Sequence, residues 1–154
     1  MPKMLPPLKL EDVLTAVLNI QLLKARYARF GDTKDWAEFR KCLADDFHCQ
    51  VDGAPRPSAE SPDSYEVHGA DAFVANARMM VGGIQPIHQL SLPDITITSD
   101  TTASGVWALH DFIIAPHCTF RGWGHYHDDY VKVGGDWKIK KSIVTRLRVE
   151  EIWL

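Results

Sequence analysis

The chain has little that would mark a secreted scaffold, a membrane span or a nucleic-acid binder. Its 154 residues include only three cysteines, Cys42, Cys49 and Cys118. Their odd number and lack of paired or metal-type spacing argue against a disulfide framework and for a reducing compartment. No apolar run approaches the roughly 20 residues that cross a bilayer, and the segment 1–7 lacks the apolar core of a secretory signal. A cytoplasmic protein with no membrane partner is expected. Positive charge is not in excess: 17 Lys and Arg stand against 20 Asp and Glu, a net charge of −3. The one basic cluster, Lys138-Ile139-Lys140-Lys141, fits a solvated strand face better than a phosphate site, so no nucleic-acid partner is expected. No internal repeat is present.

What the chain does have is apolar content for one core of ordinary size. Residues 1–9 read as an N-terminal tail and 10–154 as a single domain. From Leu10 the pattern is helical, with Val13, Leu14, Val17, Leu18, Ile20, Leu22 and Ala25 in a broad apolar arc and Tyr27 at its edge, aimed inward. Gly31 reads as the helix stop, and Asp32 or Thr33 as the cap of a second helix over 34–43. A strand is expected over 46–52, then an irregular stretch 53–65 rich in Pro, Ser and Gly that could act as a flap, then a helix over 69–80 ended by Gly82-Gly83. The rest is strand: 86–92, 94–99, 102–114, 119–133 and 137–149. Helices followed by a meander of long strands give an α+β domain whose curved sheet wraps the helices around a conical pocket.

Inside that strand region His88 and Asp111 stand out. A carboxylate buried there costs several kcal/mol, roughly, unless a donor or charge meets it. His88 on the preceding strand is the natural partner, with a turn cap or an arginine as alternatives. Such a pair beside a tyrosine suits proton-transfer chemistry. A different constellation is His125-Tyr126-His127, whose imidazoles share a strand face and could bind a metal with Asp128, Asp129 or His117. Any exposed His-x-His has that property, and no metal is expected.

Three segments carry a family resemblance. They are 23–32 with Trp36 and Phe39; His88 through Pro93-Asp94-Ile95-Thr96-Ile97 to Trp107 and Asp111; and the strand end Thr145-Arg146-Leu147. Together they resemble the nuclear-transport-factor-2-like (NTF2-like) cone and, within it, the SnoaL-like group that includes scytalone dehydratase and bile acid 7α-dehydratase. That resemblance implies a curved antiparallel or mixed sheet around N-terminal helices with a central pocket. It also implies a site of Tyr27 and Asp32 on the first helix, His88 and Asp111 on adjacent strands, and Arg146 on the last strand. Ser91 stands where some relatives carry a second histidine, so the substrate does not follow from the fold.

The implied chemistry is a cofactor-independent elimination of water from a polycyclic or steroid-like hydroxy ketone. His88 acts as base and then acid, Asp111 fixes and stabilises the imidazole, and Tyr27 donates to the enolate oxygen. Asp32 orients Tyr27 or binds a substrate hydroxyl, and Arg146 binds substrate. On this division, replacing His88 should hurt more than replacing Asp32. Trp107, Phe112, Phe120, Trp123 and Met80 are candidate pocket walls. The competing expectations are a SnoaL-like cyclase, a ketosteroid-isomerase-like isomerase and a non-catalytic small-molecule carrier. The substrate could carry coenzyme A. A homo-oligomer is expected, a trimer ahead of a dimer, with 150–154 docking on the same or an adjacent subunit.

Overall fold

One stripe of the first helix decides how the rest of the chain is arranged. In the computed structural model, which describes residues 8–154, helix α1 (Leu10–Thr33) buries Ala16, Ile20, Leu23, Lys24 and Tyr27. These positions fall on one face at the 3.6-residue period. The stripe is narrower than the apolar arc read from the sequence, because Leu10, Leu14, Leu18 and Leu22 are exposed. Of the expected tail 1–9, residues 1–7 lie outside the described residues.

Helix α1 does not stop at Gly31. It continues to Thr33 and ends at Lys34, which takes the left-handed conformation with φ of 60°. Gly31 serves close packing instead: a Cβ there would sit 3.3 Å from the Phe39 ring. The second helix, α2 (Trp36–Lys41), is shorter than expected and is capped by Asp35, whose carboxylate accepts a hydrogen bond from the Glu38 amide. Asp32 is therefore no cap but part of the last turn of α1, with its carboxylate free for another partner.

The remaining elements are β1 (Leu43–Val51), β2 (Tyr65–His68), α3 (Ala70–Val81), β3 (Gln85–Leu90), β4 (Asp94–Ile97), β5 (Thr102–Ile114), β6 (Cys118–Val133) and β7 (Asp136–Trp153). They form a curved, unclosed mixed sheet in the order β2-β1-β7-β6-β5-β3, with β4 also paired to β5. The β1–β7 pairing is parallel and the other pairings are antiparallel. The helices cover one face of this sheet through Ile20, Phe39, Phe47, Phe73 and Ile139, which bears out the α+β architecture. No helix among the described residues is long and apolar enough to cross a membrane.

Two further differences bear on the site. The stretch expected to be irregular through residue 65 yields a strand at its end, and Tyr65 pairs with Val51. β7 runs past the expected end at 149 to Trp153, which pairs with Cys118, so the terminal segment joins its own sheet while Ile152 and Leu154 stay exposed.

Candidate active site

Strand alternation builds the walls of the site. On β6 the inward set is Phe120, Gly122, Gly124, Tyr126, Asp128 and Tyr130, all buried; on β5 it is Trp107, Leu109, Asp111 and Ile113. Tyr27 from α1, Tyr65 from β2, His88 from β3, and Val144 and Arg146 from β7 complete a cavity of about 120 Å³. Trp36, Phe39, Phe73 and Met80 make its apolar side. Tyr27, His88, Asp111 and Arg146 thus line one chamber, while Asp32 stands behind His88 and faces an outer hollow.

The partner of His88 is Asp32, which corrects the expected His88–Asp111 pairing. His88 Nδ1 lies 2.6 Å from Asp32 Oδ1, and the His88 backbone N–H donates to Oδ2 at 2.9 Å. A carboxylate only accepts, so Nδ1 carries the proton and Nε2 is left as the basic nitrogen. His88 and Asp111 are nonetheless register partners across β3 and β5.

Asp111 instead takes the arginine alternative. Arg146 Nη1 and Nη2 donate to its two oxygens at 2.7 and 2.9 Å, and Arg146 Nε donates to the Gly53 carbonyl at 3.2 Å. The two side chains are only 9 % and 5 % exposed. This two-pronged geometry fixes both groups and leaves two guanidinium N–H bonds unused. Gly122 makes room for the pair, since a Cβ there would lie within 2.4 Å of Asp111 Oδ1 and 2.5 Å of Arg146 Nη1. We expect Gly122→Ala to force the pair apart and to cost about 1–3 kcal/mol of stability. Urea unfolding checks this, and an unchanged midpoint would show that the pair is not held as described.

Three phenols face the chamber: Tyr27, Tyr65 and Tyr126. None has a hydrogen-bond partner for its hydroxyl among the described residues, so all three are free to meet an oxygen of a bound molecule. Burial pushes the phenol pKa of each above the ordinary value, and it does the same to Tyr130, the fourth tyrosine of the chain. Each therefore remains a donor. Alkaline ultraviolet titration should show no phenolate band from the folded protein at about pH 10, where unfolded tyrosine is half ionised. A folded pKa raised above the unfolded one gives stability that is complete below pH 10, roughly, and is lost as pH rises beyond it. Unfolding and phenolate absorbance should hence appear together, and a phenolate band in native protein would contradict the burial. Tyr65 and Tyr126 were missed in the sequence. Parity with the buried run 120–130 could have found Tyr126, but Tyr65 lies at the end of a stretch with no periodicity.

Beneath the phenols lies a buried charge pair. Lys24 Nζ is 2.7 Å from Asp128 Oδ2, and both side chains are 0 % exposed. The ammonium also sits 3.6 Å from the Tyr126 ring centroid and 4.6 Å from that of Tyr27. Desolvation lowers the lysine pKa, opposed by Asp128. Asp128 further accepts from Tyr130 and Ser142 hydroxyls, each at 2.7 Å, and Trp107 donates to Tyr130 at 2.8 Å. Cys49 also lines the chamber, with its thiol pushed up to about 12 by burial, so it stays protonated near neutral pH and is a poor nucleophile.

The expected aromatic walls divide. Met80 lines the chamber, Trp107 is tied into the buried network, and Phe112 and Trp123 lie on the opposite face of the sheet. Phe120 lines a neighbouring cleft of about 340 Å³, which shares Pro55, Met80, Val81 and Ile113 with the chamber. The His125–His127 metal alternative does not assemble. Asp128 is buried on the other face with Lys24, His127 meets Thr145, His117 stacks on Trp153, and Asp129, though on the same face, does not bring a third ligand atom within reach of the two imidazoles.

The SnoaL-like domain family matches residues 12–143. This chain belongs to that family. The fold agrees with solved structures at low sequence identity. A protein of Novosphingobium aromaticivorans provisionally named scytalone dehydratase is 20% identical with a TM-score of 0.76, covering 95% of this chain and 93% of its own. The type 3 hexachlorocyclohexane dehydrochlorinase of Novosphingobium barchaimii is 16% identical with a TM-score of 0.73, covering 92% of each chain. The SnoaL-like chamber described above thus sits in a cone-shaped NTF2-like fold, as the resemblance implied.

Proposed function

We propose that this protein is a lyase that eliminates water from a cyclic hydroxy ketone, with His88 as the proton-transfer group. The observation that carries the reading is the His88–Asp32 contact, which leaves Nε2 basic at the wall of a chamber lined by three unpartnered phenols. Nε2 takes the proton from the carbon next to the ketone. The electron pair moves onto the carbonyl oxygen, where Tyr27 and Tyr126 donate hydrogen bonds as charge develops. Asp32 stabilises the imidazolium. The enolate then re-forms its carbonyl, the carbon–oxygen bond at the β position breaks, and Nε2 returns its proton to the leaving hydroxyl, so that water departs.

Size limits the substrate. The chamber of about 120 Å³ is smaller than the roughly 150 Å³ that takes one benzene, so even the reacting ring needs the chamber to open toward the adjoining cleft, with which it shares Pro55, Met80, Val81 and Ile113. A second or third ring would extend into the adjoining cleft. The names scytalone dehydratase and dehydrochlorinase borne by the structural neighbours are in keeping with elimination chemistry. The test is proton exchange: incubating 1-tetralone and 3-hydroxy-1-tetralone in deuterium oxide with wild type should exchange the hydrogen next to the carbonyl, as read by NMR. His88→Gln should be silent. Exchange that survives His88→Gln would refute the assignment of the base.

A further inference from the structure

The geometry points to a second site, for a divalent transition-metal ion, on the face of the sheet away from the chamber, formed by His48, Glu66 and His68. This inference is independent of the proposed catalysis. β1 and β2 pair antiparallel with His48 directly opposite His68. Their side chains point outward, since Phe47, Cys49 and Val51 occupy the buried positions of β1. The two imidazoles stack at 4.3 Å between centroids and 6° between planes. Both Nε2 atoms aim at the same carboxylate oxygen, Glu66 Oε1, at 2.7 and 3.1 Å. The three donor atoms lie within 4.8 Å of one another.

Two imidazoles and one carboxylate are a borderline nitrogen–oxygen donor set, which suits zinc, nickel or copper(II) and not magnesium or calcium. Two metal–nitrogen bonds of about 2.1 Å meeting at a tetrahedral angle hold the nitrogens about 3.4 Å apart, so the rings, now stacked parallel, must tilt toward each other by tens of degrees, roughly, for both Nε2 lone pairs to meet the ion. The tilt is available because His68 and Glu66 are 72 % and 53 % exposed. The ion would replace the protons now shared between the imidazoles and Glu66. Lys141, the register neighbour of His48 on β7, opposes the ion's charge, and Glu66 offsets it. The remaining coordination positions face solvent.

Such an ion would also fasten the edge strand that carries Tyr65 into the chamber. Tyr65 opens β2 and pairs with Val51, so the metal and the phenol sit at the two ends of the same four-residue strand.

Calorimetric titration of the tag-free full chain with zinc chloride tests the site. We expect one zinc per chain with micromolar affinity, at least tenfold weaker binding in either His68→Gln or Glu66→Gln, and no heat with magnesium. The exposed position of His68 makes its variant a safe one for folding. His125→Gln/His127→Gln should bind as wild type does. Zinc should raise the Tm of wild type and leave that of His68→Gln unmoved. Absence of zinc binding, or binding that survives both His68→Gln and Glu66→Gln, would overturn the proposal. So would binding lost in the His125/His127 variant.

Discussion

Replacing His88 by glutamine is expected to lower kcat for dehydration by about a hundred- to ten-thousandfold, the range that general acid–base action contributes. On the proposed chemistry Asp32 is expected to fall in the same class. It holds both the Nδ1 proton and the backbone N–H of His88, so Asp32→Asn offers an amide that can turn its N–H toward the ring and invert the tautomer. A comparable inversion in a His–Asp pair costs on the order of ten-thousandfold. The sequence alone implies a smaller loss at Asp32 than at His88; with the contact we expect the two losses to be similar. Tyr27→Phe should lose on the order of ten- to a hundredfold, less than one full oxyanion donor, because Tyr126 and Tyr65 remain in the chamber. Steady-state kinetics on a substrate turned over by wild type compares the three. A fully active Asp32→Asn would show that the contact does not set the tautomer.

The largest effect on stability is expected at Lys24, not at any residue that touches substrate. Lys24→Met leaves the Asp128 carboxylate buried without its counter-charge. Breaking one partner of a buried ion pair costs about 3–5 kcal/mol. At about 2–4 °C per kcal/mol for a domain of this size, that is a Tm lower by several degrees to some 20 °C. The double variant Lys24→Met/Asp128→Asn should recover most of the loss, because the asparagine oxygen still accepts from one of the Tyr130 and Ser142 hydroxyls and its amide N–H can donate to the other. Calorimetry of the single and double variants decides it. Equal losses in the two would mean that packing of the lysine stem, not its charge, holds this part of the core.

Why the sequence exposed some of this and hid the rest is physical. The strand bodies were legible because alternation is a property of the strand itself: β5 was read with the boundaries it has, 102–114, and β6 within one residue. The pocket face was not read as well: Phe112 and Trp123, expected as walls, have the opposite parity to Trp107 and Phe120 and lie on the other face of the sheet. Local signals misled where tertiary contact decided the outcome. Gly31 has the composition of a helix stop, yet it is kept small by the Phe39 ring, and the helix ends three residues later at Lys34. Asp32 was expected on the same helix as Tyr27, and its partner is set by the packing of α1 on β3, which no local pattern reports. Asp111 shows the converse, since the cost of a buried carboxylate correctly demanded a partner but could not choose between a histidine across the strand pair and an arginine on β7. Lys24 was legible and overlooked: it stands four residues after Ile20 and three before Tyr27, on the stripe that the helix buries.

The most direct test of the proposed chemistry is mass spectrometry of wild type and His88→Gln incubated with a panel of cyclic β-hydroxy ketones of one, two and four rings. We expect a loss of about 18 Da, one water, from a one- or two-ring member with wild type, and no loss with the variant. Equal loss with both proteins, or bound ligand that leaves wild type unchanged in mass across the whole panel, would contradict it.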